Sequence, residues 1–265
     1  MHYKVRDDGM SPSFAGLDEV KFENTLEAAL EYHRRGFQVT PLAGKQPTLE
    51  GWPKRELAED ELPRHFFEGR NVGIVLGGDT GLVDVDLDNP LATEVAEHIL
   101  PDTLKSGREK NPCSHYWYLI DPTPTSRSYS LPGPMAKRLG VDHGDATLAE
   151  LRSTGRQTMV APSRHPDDGD EYRWHRGVIR VIDGEELERL VEDVAVATLL
   201  ALNWPLRGAR QTFALHAAGY LGRHVEHGRV EAILQAAAAV AEDEEIDKRS
   251  QAVRDTLAKL EKLDK

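Results

Sequence analysis

Three aspartates at alternate positions, Asp84, Asp86 and Asp88, fall in the segment Gly81-Leu-Val-Asp-Val-Asp-Leu-Asp88. Strict alternation is the period of a β-strand, so it places the three carboxylates on one face and Val83, Val85 and Leu87 on the other. Like charges this close destabilise a sheet unless something positive neutralises them. Hard oxygen donors select Mg²⁺ or Mn²⁺, and Mg²⁺ keeps positions open for water and substrate phosphates. The competing explanation is an edge strand whose charge protects it from aggregation. An apolar second face and a Gly77-Gly78 turn delivering the strand argue against that.

A second cluster lies in Gly107-Arg-Glu-Lys-Asn-Pro-Cys-Ser-His115, which runs into Tyr116-Trp-Tyr118. Arg108, Lys110 and His115 around a turn suit a triphosphate, with Ser114 as a hydroxyl donor. A histidine ahead of an aromatic strand is equally readable as a packed, hydrogen-bonded side chain. The third cluster is Ala149-Glu-Leu-Arg152, followed by Gly155 and Met159-Val-Ala-Pro-Ser-Arg-His165. Glu150 and Arg152 share one face of a strand, and Ser163 and His165 fall on a turn. Glu150 would supply a third carboxylate to a pair of metals ~3.5–4 Å apart.

The elements that position these residues are read from periodicity and punctuation. A helix starts at Asn24, a good N-cap, and stops at Gly36. A short strand at Phe37–Thr40 and a short helix at 59–67 precede the strand Asn71–Leu76, a turn and the Asp-rich strand. A helix over 90–100 follows, then strands near 103–106, 114–120, 147–152, 158–161 and 171–174. After Asp183 the pattern becomes helical, with helices near 183–202, 207–223, 225–241 and 244–262. The expectation is therefore an α+β mixed-sheet domain with a C-terminal helical bundle. Residues 1–23 read as a loosely held leader, 24–182 as the catalytic domain and 183–265 as a helical accessory domain.

A net charge of -12 has the wrong sign for coating nucleic acid through bulk electrostatics. From Leu104 to His165, however, nine Lys and Arg face five Asp and Glu, so phosphate contact is expected there. The single cysteine, Cys113, excludes an internal disulfide and a Cys-rich zinc site. No apolar run approaches the ~20 residues of a membrane span and no secretory signal is present, so a cytoplasmic, membrane-free protein is expected.

In this order, the clusters resemble the N-terminal domain of bifunctional DNA primase-polymerases of the archaeo-eukaryotic primase superfamily. The likeness runs from about residue 24 to 176 and takes in Gly36-Phe-Gln-Val-Thr-Pro41, Lys45-Gln-Pro47, Trp52-Pro53, Asn71-Val-Gly73 and Leu76-Gly77. The family's Gly-apolar-apolar-x-apolar-Asp-x-Asp form places its metal pair on Asp86 and Asp88. Asp84-Val-Asp86 also fits Asp-x-Asp, so both registers stay open. The family's small-x-His element, which binds the incoming nucleotide, falls on Cys113-Ser-His115, and its third acid falls on Glu150.

The resemblance implies an RRM-like catalytic domain performing two-metal nucleotidyl transfer with Mg²⁺ or Mn²⁺. Asp86, Asp88 and Glu150 would be catalytic, and Arg108, Lys110, Ser114, His115, Arg152, Ser163 and His165 would contact nucleotide. The implied partners are a single-stranded DNA template, dNTP or NTP and a separate replicative helicase, in replication of a mobile element, phage or plasmid. No Gly-Lys-Ser/Thr phosphate loop is present, so no helicase domain is fused within the sequence. A metal-dependent nuclease and a catalytically silent, template-binding replication initiator are the competing functions.

Overall fold

The computed structural model describes residues 12–141, 146–175 and 177–263. Among them the strands are β1 (Val39–Ala43), β2 (Gln46–Pro47), β3 (Asn71–Val75), β4 (Leu82–Asp86), β5 (Leu104–Arg108), β6 (Asn111–Leu119), β7 (Arg127–Ser130), β8 (Thr147–Arg152), β9 (Gln157–Met159), β10 (Tyr172–His175) and β11 (Arg180–Val181). The helices are α1 (Thr25–Arg34), α2 (Leu62–His65), α3 (Pro90–Ile99), α4 (Gly133–Leu139), α5 (Gly184–Leu202), α6 (Arg210–Leu221), α7 (His227–Val240) and α8 (Ile246–Leu263). The protein is α+β, with mainly antiparallel sheets.

The chain divides into two compact units. The first takes the chain up to Asp86, then Asp102–Arg127 and Glu150–Glu188; the second takes Leu87–Pro101, Ser128–Ala149 and everything from Arg189 on. The last crossing, from Glu188 to Arg189, falls inside α5, whereas the boundary expected at 182/183 precedes that helix. The two earlier excursions into the second unit carry no compositional mark, which is why the sequence did not reveal them.

In the first unit α1 begins as its cap requires. The Asn24 side chain accepts from the Glu27 amide at 2.9 Å, and the Glu27 carboxylate accepts from the Glu23 amide. The helix buries Ala28, Ala29 and Tyr32 against a core that includes Phe14, Leu17, Phe37, Ile74 and Trp117. Residues 12–22 therefore depart from the loose leader expected: Phe14 and Leu17 are buried, and the Phe14 and Phe37 rings meet edge-on at 4.8 Å. Two anchors without periodicity leave no pattern to read. Residues 1–11 of that leader lie outside the described residues.

A four-stranded sheet runs β2-β1-β3-β9, and a larger one runs β10-β5-β6-β4-β8-β7, with β11 parallel to β6. Strand β4 is hydrogen-bonded on both sides, by β6 and β8, so the Asp-rich segment is central and the edge-protection explanation fails. Gly77 delivers β4 with φ +73°. A Cβ there would meet the Thr154 backbone at 2.4 Å, so only glycine fits this turn.

The strand ends at Asp86, two residues earlier than the alternation suggested. Asp88 lies past it, exposed, in the second unit. Pro90, at the start of α3, and the Asn89 cap, whose side chain accepts from the Leu91 amide, turn the chain from strand to helix at once.

In the second unit, α6, α7 and α8 share a core of Ala214, Ala218, Val230, Leu234, Val253 and Leu257. The Arg229 guanidinium on α7 contacts the Asp193 carboxylate of α5 at 2.6 Å. No helix among the described residues is long and apolar enough to cross a membrane.

Candidate active site

Register decides which side chains meet. Across β4 and β8, Asp86 is opposite Glu150 and Asp84 opposite Arg152; across β4 and β6, Asp86 is opposite His115 and Asp84 opposite Trp117. Directly paired residues share a sheet face, so Asp84, Asp86, His115, Glu150 and Arg152 gather on one side while Val83, Val85, Tyr116 and Leu151 take the other. All five belong to the first unit.

The geometry is that of a charge cluster. The Arg152 guanidinium contacts the Asp86 carboxylate, and its Nε donates to Glu150 Oε2 at 2.9 Å. His115 Nδ1 lies 3.0 Å from Asp84 Oδ2 and 3.3 Å from Asp86 Oδ1. An ionised carboxylate only accepts, so Nδ1 carries the proton. Thr158 Oγ1, from β9, donates to the same Asp84 oxygen at 2.6 Å.

Asp84 is 0% exposed and Asp86 only 3%, whereas Glu150 and Arg152 are partly open. Burial pulls the His115 imidazole down, but Asp84 and then Asp86 outweigh it, and its pKa is raised overall. Arg152 shows the same balance: burial opposes the charge, and Asp86, Asp84 and Glu150 more than restore it.

Among the described residues no three His, Cys, Asp or Glu side chains form a ready-made metal cage. Asp86 and Glu150 nevertheless fit a divalent cation by donor chemistry: two hard carboxylates face each other across one register position. Such a pair suits an ion that completes its shell with water and substrate phosphates. Arg152 supplies the positive charge between them. Deeper in, Asp84 Oδ1 is buried and has no hydrogen-bond partner among the described residues.

A second cluster has the opposite sign. Arg108 Nη1 and Lys110 Nζ converge on Asp168 Oδ2 at 3.1 and 3.0 Å, and His165 Nδ1 lies 3.5 Å from Asp168 Oδ1. Hydrogen bonding from Lys110 is the main reason that the Asp168 carboxyl is held down at about 2. His165 is driven below its ordinary value by burial, then by Lys45 and Arg108.

The bulge at Gly107 aims Arg108. A Cβ there would meet the Asn111 carbonyl at 2.6 Å, and pairing shifts register between Ser106 and Arg108. Arg108 then faces Tyr172, whose ring centroid lies 6.1 Å from that of His115, so Tyr172 stands between the two clusters.

Asp88 lies past the strand, in the second unit. Two expected residues of the first unit are not gathered with the rest. Ser114 alternates with His115 in β6 and so takes the opposite sheet face. Ser163 is fully buried: its Oγ donates to the Val72 carbonyl at 3.1 Å and accepts from the Val72 amide at 2.9 Å, which commits it to holding the loop on β3. Thr158, Lys45, Asp168 and Tyr172 are not among the site residues expected from the sequence, although Lys45 and Tyr172 fall in segments that carry the family resemblance. Each acts through a contact between distant segments, and Asp168 sits in Pro166-Asp-Asp-Gly-Asp170, which reads as an ordinary turn.

Two charge clusters of opposite sign on an α+β scaffold set the frame for the comparison with known proteins. The model of the bifunctional DNA primase/polymerase N-terminal (Prim-Pol) family matches residues 29–190. The chain belongs to this family, whose members are nucleotidyltransferase-type primase/polymerases, act on DNA and nucleotides and generally depend on a metal. No curated protein matches the chain.

Proposed function

We propose that the protein is a template-directed DNA primase/polymerase that joins a nucleoside triphosphate to a 3′-hydroxyl on an RRM-like domain. The single observation that carries this reading is the facing pair Asp86 and Glu150, in the first unit together with the Arg108, Lys110 and His165 cluster. In the transfer, the 3′-hydroxyl gives its proton to solvent as its oxygen bonds to the α-phosphorus, the P–O bond bridging the α- and β-phosphorus breaks, and pyrophosphate leaves with the electron pair.

Mg²⁺ or Mn²⁺ held by Asp86 and Glu150, alone or as one of a pair, would supply Lewis-acid stabilisation of attacking and leaving oxygens. Arg108 and Lys110 take the charge of the triphosphate and orient it, and His165, whose charged form burial disfavours, adds a hydrogen-bonding imidazole beside them. His115, held at Nδ1 by Asp84 and favoured in its charged form, adds a positively charged donor beside the acids. Asp84 is a positioning residue for that imidazole. Arg152 balances the acids and releases them when substrate arrives. Asp88 enters on the family resemblance alone, as do the cytoplasmic setting and the replicative role in a mobile element. The helices from α5 onward are proposed to help hold template or the initiating nucleotide.

The test is incubation of the protein with labelled deoxynucleotide, single-stranded template, annealed primer and Mn²⁺. Lengthened product supports the reading. Shortened template would instead identify a nuclease, and a primer and template both of unchanged length a silent binding module.

A further inference from the structure

The first unit carries a cleft of about 480 Å³ that meets the second charge cluster at His165, lined among others by Phe22, Glu68, Arg70, Asn71, Arg164 and His165. Its size is that of a small-molecule or nucleobase site. Its charge is mixed. Glu68 and Glu171 line it as well as Arg70 and Arg164, and Arg164 is already engaged by Glu171 at 2.9 Å and by the Gly169 carbonyl. A triphosphate is poorly matched to such walls.

Next in sequence to the lining residue Glu68 is Phe67, a large apolar side chain that is 53% exposed. The Arg70 guanidinium lies 4.7 Å from its ring centroid. An aromatic ring with one face stacked on arginine and the other open to solvent is a sequence-tolerant platform for an unpaired base. Arg70 Nε is buried with no hydrogen-bond partner among the described residues, so this guanidinium is not committed through Nε to an internal acceptor.

The cleft also has a way out. His165 lines it and reaches Asp168 in the cationic cluster, with Lys45 close enough to depress the imidazole. Asn71 clasps the walls, donating to the Gly44 and Arg164 carbonyls and accepting from the Arg164 amide. One clasped cleft is thus lined both by Arg70, the partner of the exposed Phe67 ring, and by His165, the neighbour of the cations Lys45 and Arg108.

We infer that this cleft is a binding site for single-stranded DNA, with one unpaired base stacked on Phe67 and Arg70 and the neighbouring backbone directed towards Lys45 and His165. The inference rests on the primase/polymerase reading, since it assigns the template strand to a surface of that domain. It shares His165 with the triphosphate cluster and adds Phe67 and Arg70, which neither cluster contains.

The test is fluorescence anisotropy of a labelled single-stranded oligodeoxynucleotide, without metal or nucleotide, with the full chain. Phe67→Ala and Arg70→Gln are expected to weaken binding about 5- to 100-fold, the range that loss of one base–aromatic stack produces. Phe67→Trp restores it. A duplex of the same sequence competes poorly. Thermal melts should match the wild type, because Phe67 is exposed; should Phe67→Ala fold poorly, Phe67→Leu, which removes the ring and keeps apolar bulk, takes its place with the same expected loss.

Wild-type affinity in both Phe67→Ala and Arg70→Gln overturns the inference, as does a wild type that does not bind the oligonucleotide. Primer extension by the wild type is scored separately. If product lengthens while the variants bind normally, only the cleft assignment fails; if no product lengthens, the primase/polymerase reading fails whatever the oligonucleotide does.

Discussion

The two charge clusters of the first unit invert one another. In one, Asp84, Asp86 and Glu150 surround the cations Arg152 and His115; in the other, Arg108, Lys110 and His165 surround the anion Asp168. Each excess charge carries its own counter-ion, so the protein folds without ligand and still presents ligand-ready groups. They differ in depth. Asp84 is fully buried, whereas Lys110 is exposed, so the same kind of ion pair is structural in the first cluster and exchangeable in the second.

The largest effect expected from that difference is on stability. Asp84→Ala leaves His115 and Thr158 without their shared acceptor in the interior and should destabilise the protein by about 3–5 kcal/mol, the cost of breaking a buried pair. Denaturant unfolding measures it. A change below about 1 kcal/mol would mean that the buried cluster is as exchangeable as the exposed one. This reverses the simplest reading of the sequence, in which removing one of several repelling carboxylates costs nothing.

The second effect is on substrate. Asp168→Asn removes the internal anion that competes with a triphosphate for Arg108 and Lys110, so the KM for nucleotide should fall about two- to five-fold, as befits exposed pairs. A higher KM in steady-state extension would show that Asp168 organises the cations rather than competing for them.

The smallest effect separates the two histidines. His115 has a raised pKa, so its stabilising contribution is complete below the ordinary histidine value and is lost as pH rises through the raised one. His165 has a lowered pKa, so its contribution is present above the ordinary value and is lost as pH falls through the depressed one. Proton NMR of the metal-free protein should therefore find the two imidazoles titrating on opposite sides of that value, and titration on one side would erase the contrast.

Much of this was legible in the sequence because it was local. The Asn24 cap, the alternation at Asp84 and Asp86, and the strand Thr147–Arg152 depend on neighbours within a few residues, and each element lies where the pattern put it. Alternation alone could not say where β4 stops: the Asp-Asn-Pro sequence after Leu87 ends it, so Asp88 does not join its partners on the strand. The pairing of Asp86 with Glu150, and Thr158 on Asp84, depend on which strands become neighbours. No local pattern carries that information. Ser163 shows the converse, since a serine on a turn looks available to a ligand until Val72 is seen to occupy it from both sides.

The central claim is that Asp86 and Glu150 form the reaction centre, and single-turnover addition of one labelled deoxynucleotide to an annealed primer by Glu150→Gln tests it most directly. Glutamine keeps the shape and a hydrogen-bond acceptor for Arg152 while removing the charge. The account predicts a variant that melts near the wild-type temperature and loses at least ~10²–10³-fold in rate. A folded variant that adds the nucleotide at the wild-type rate would contradict it.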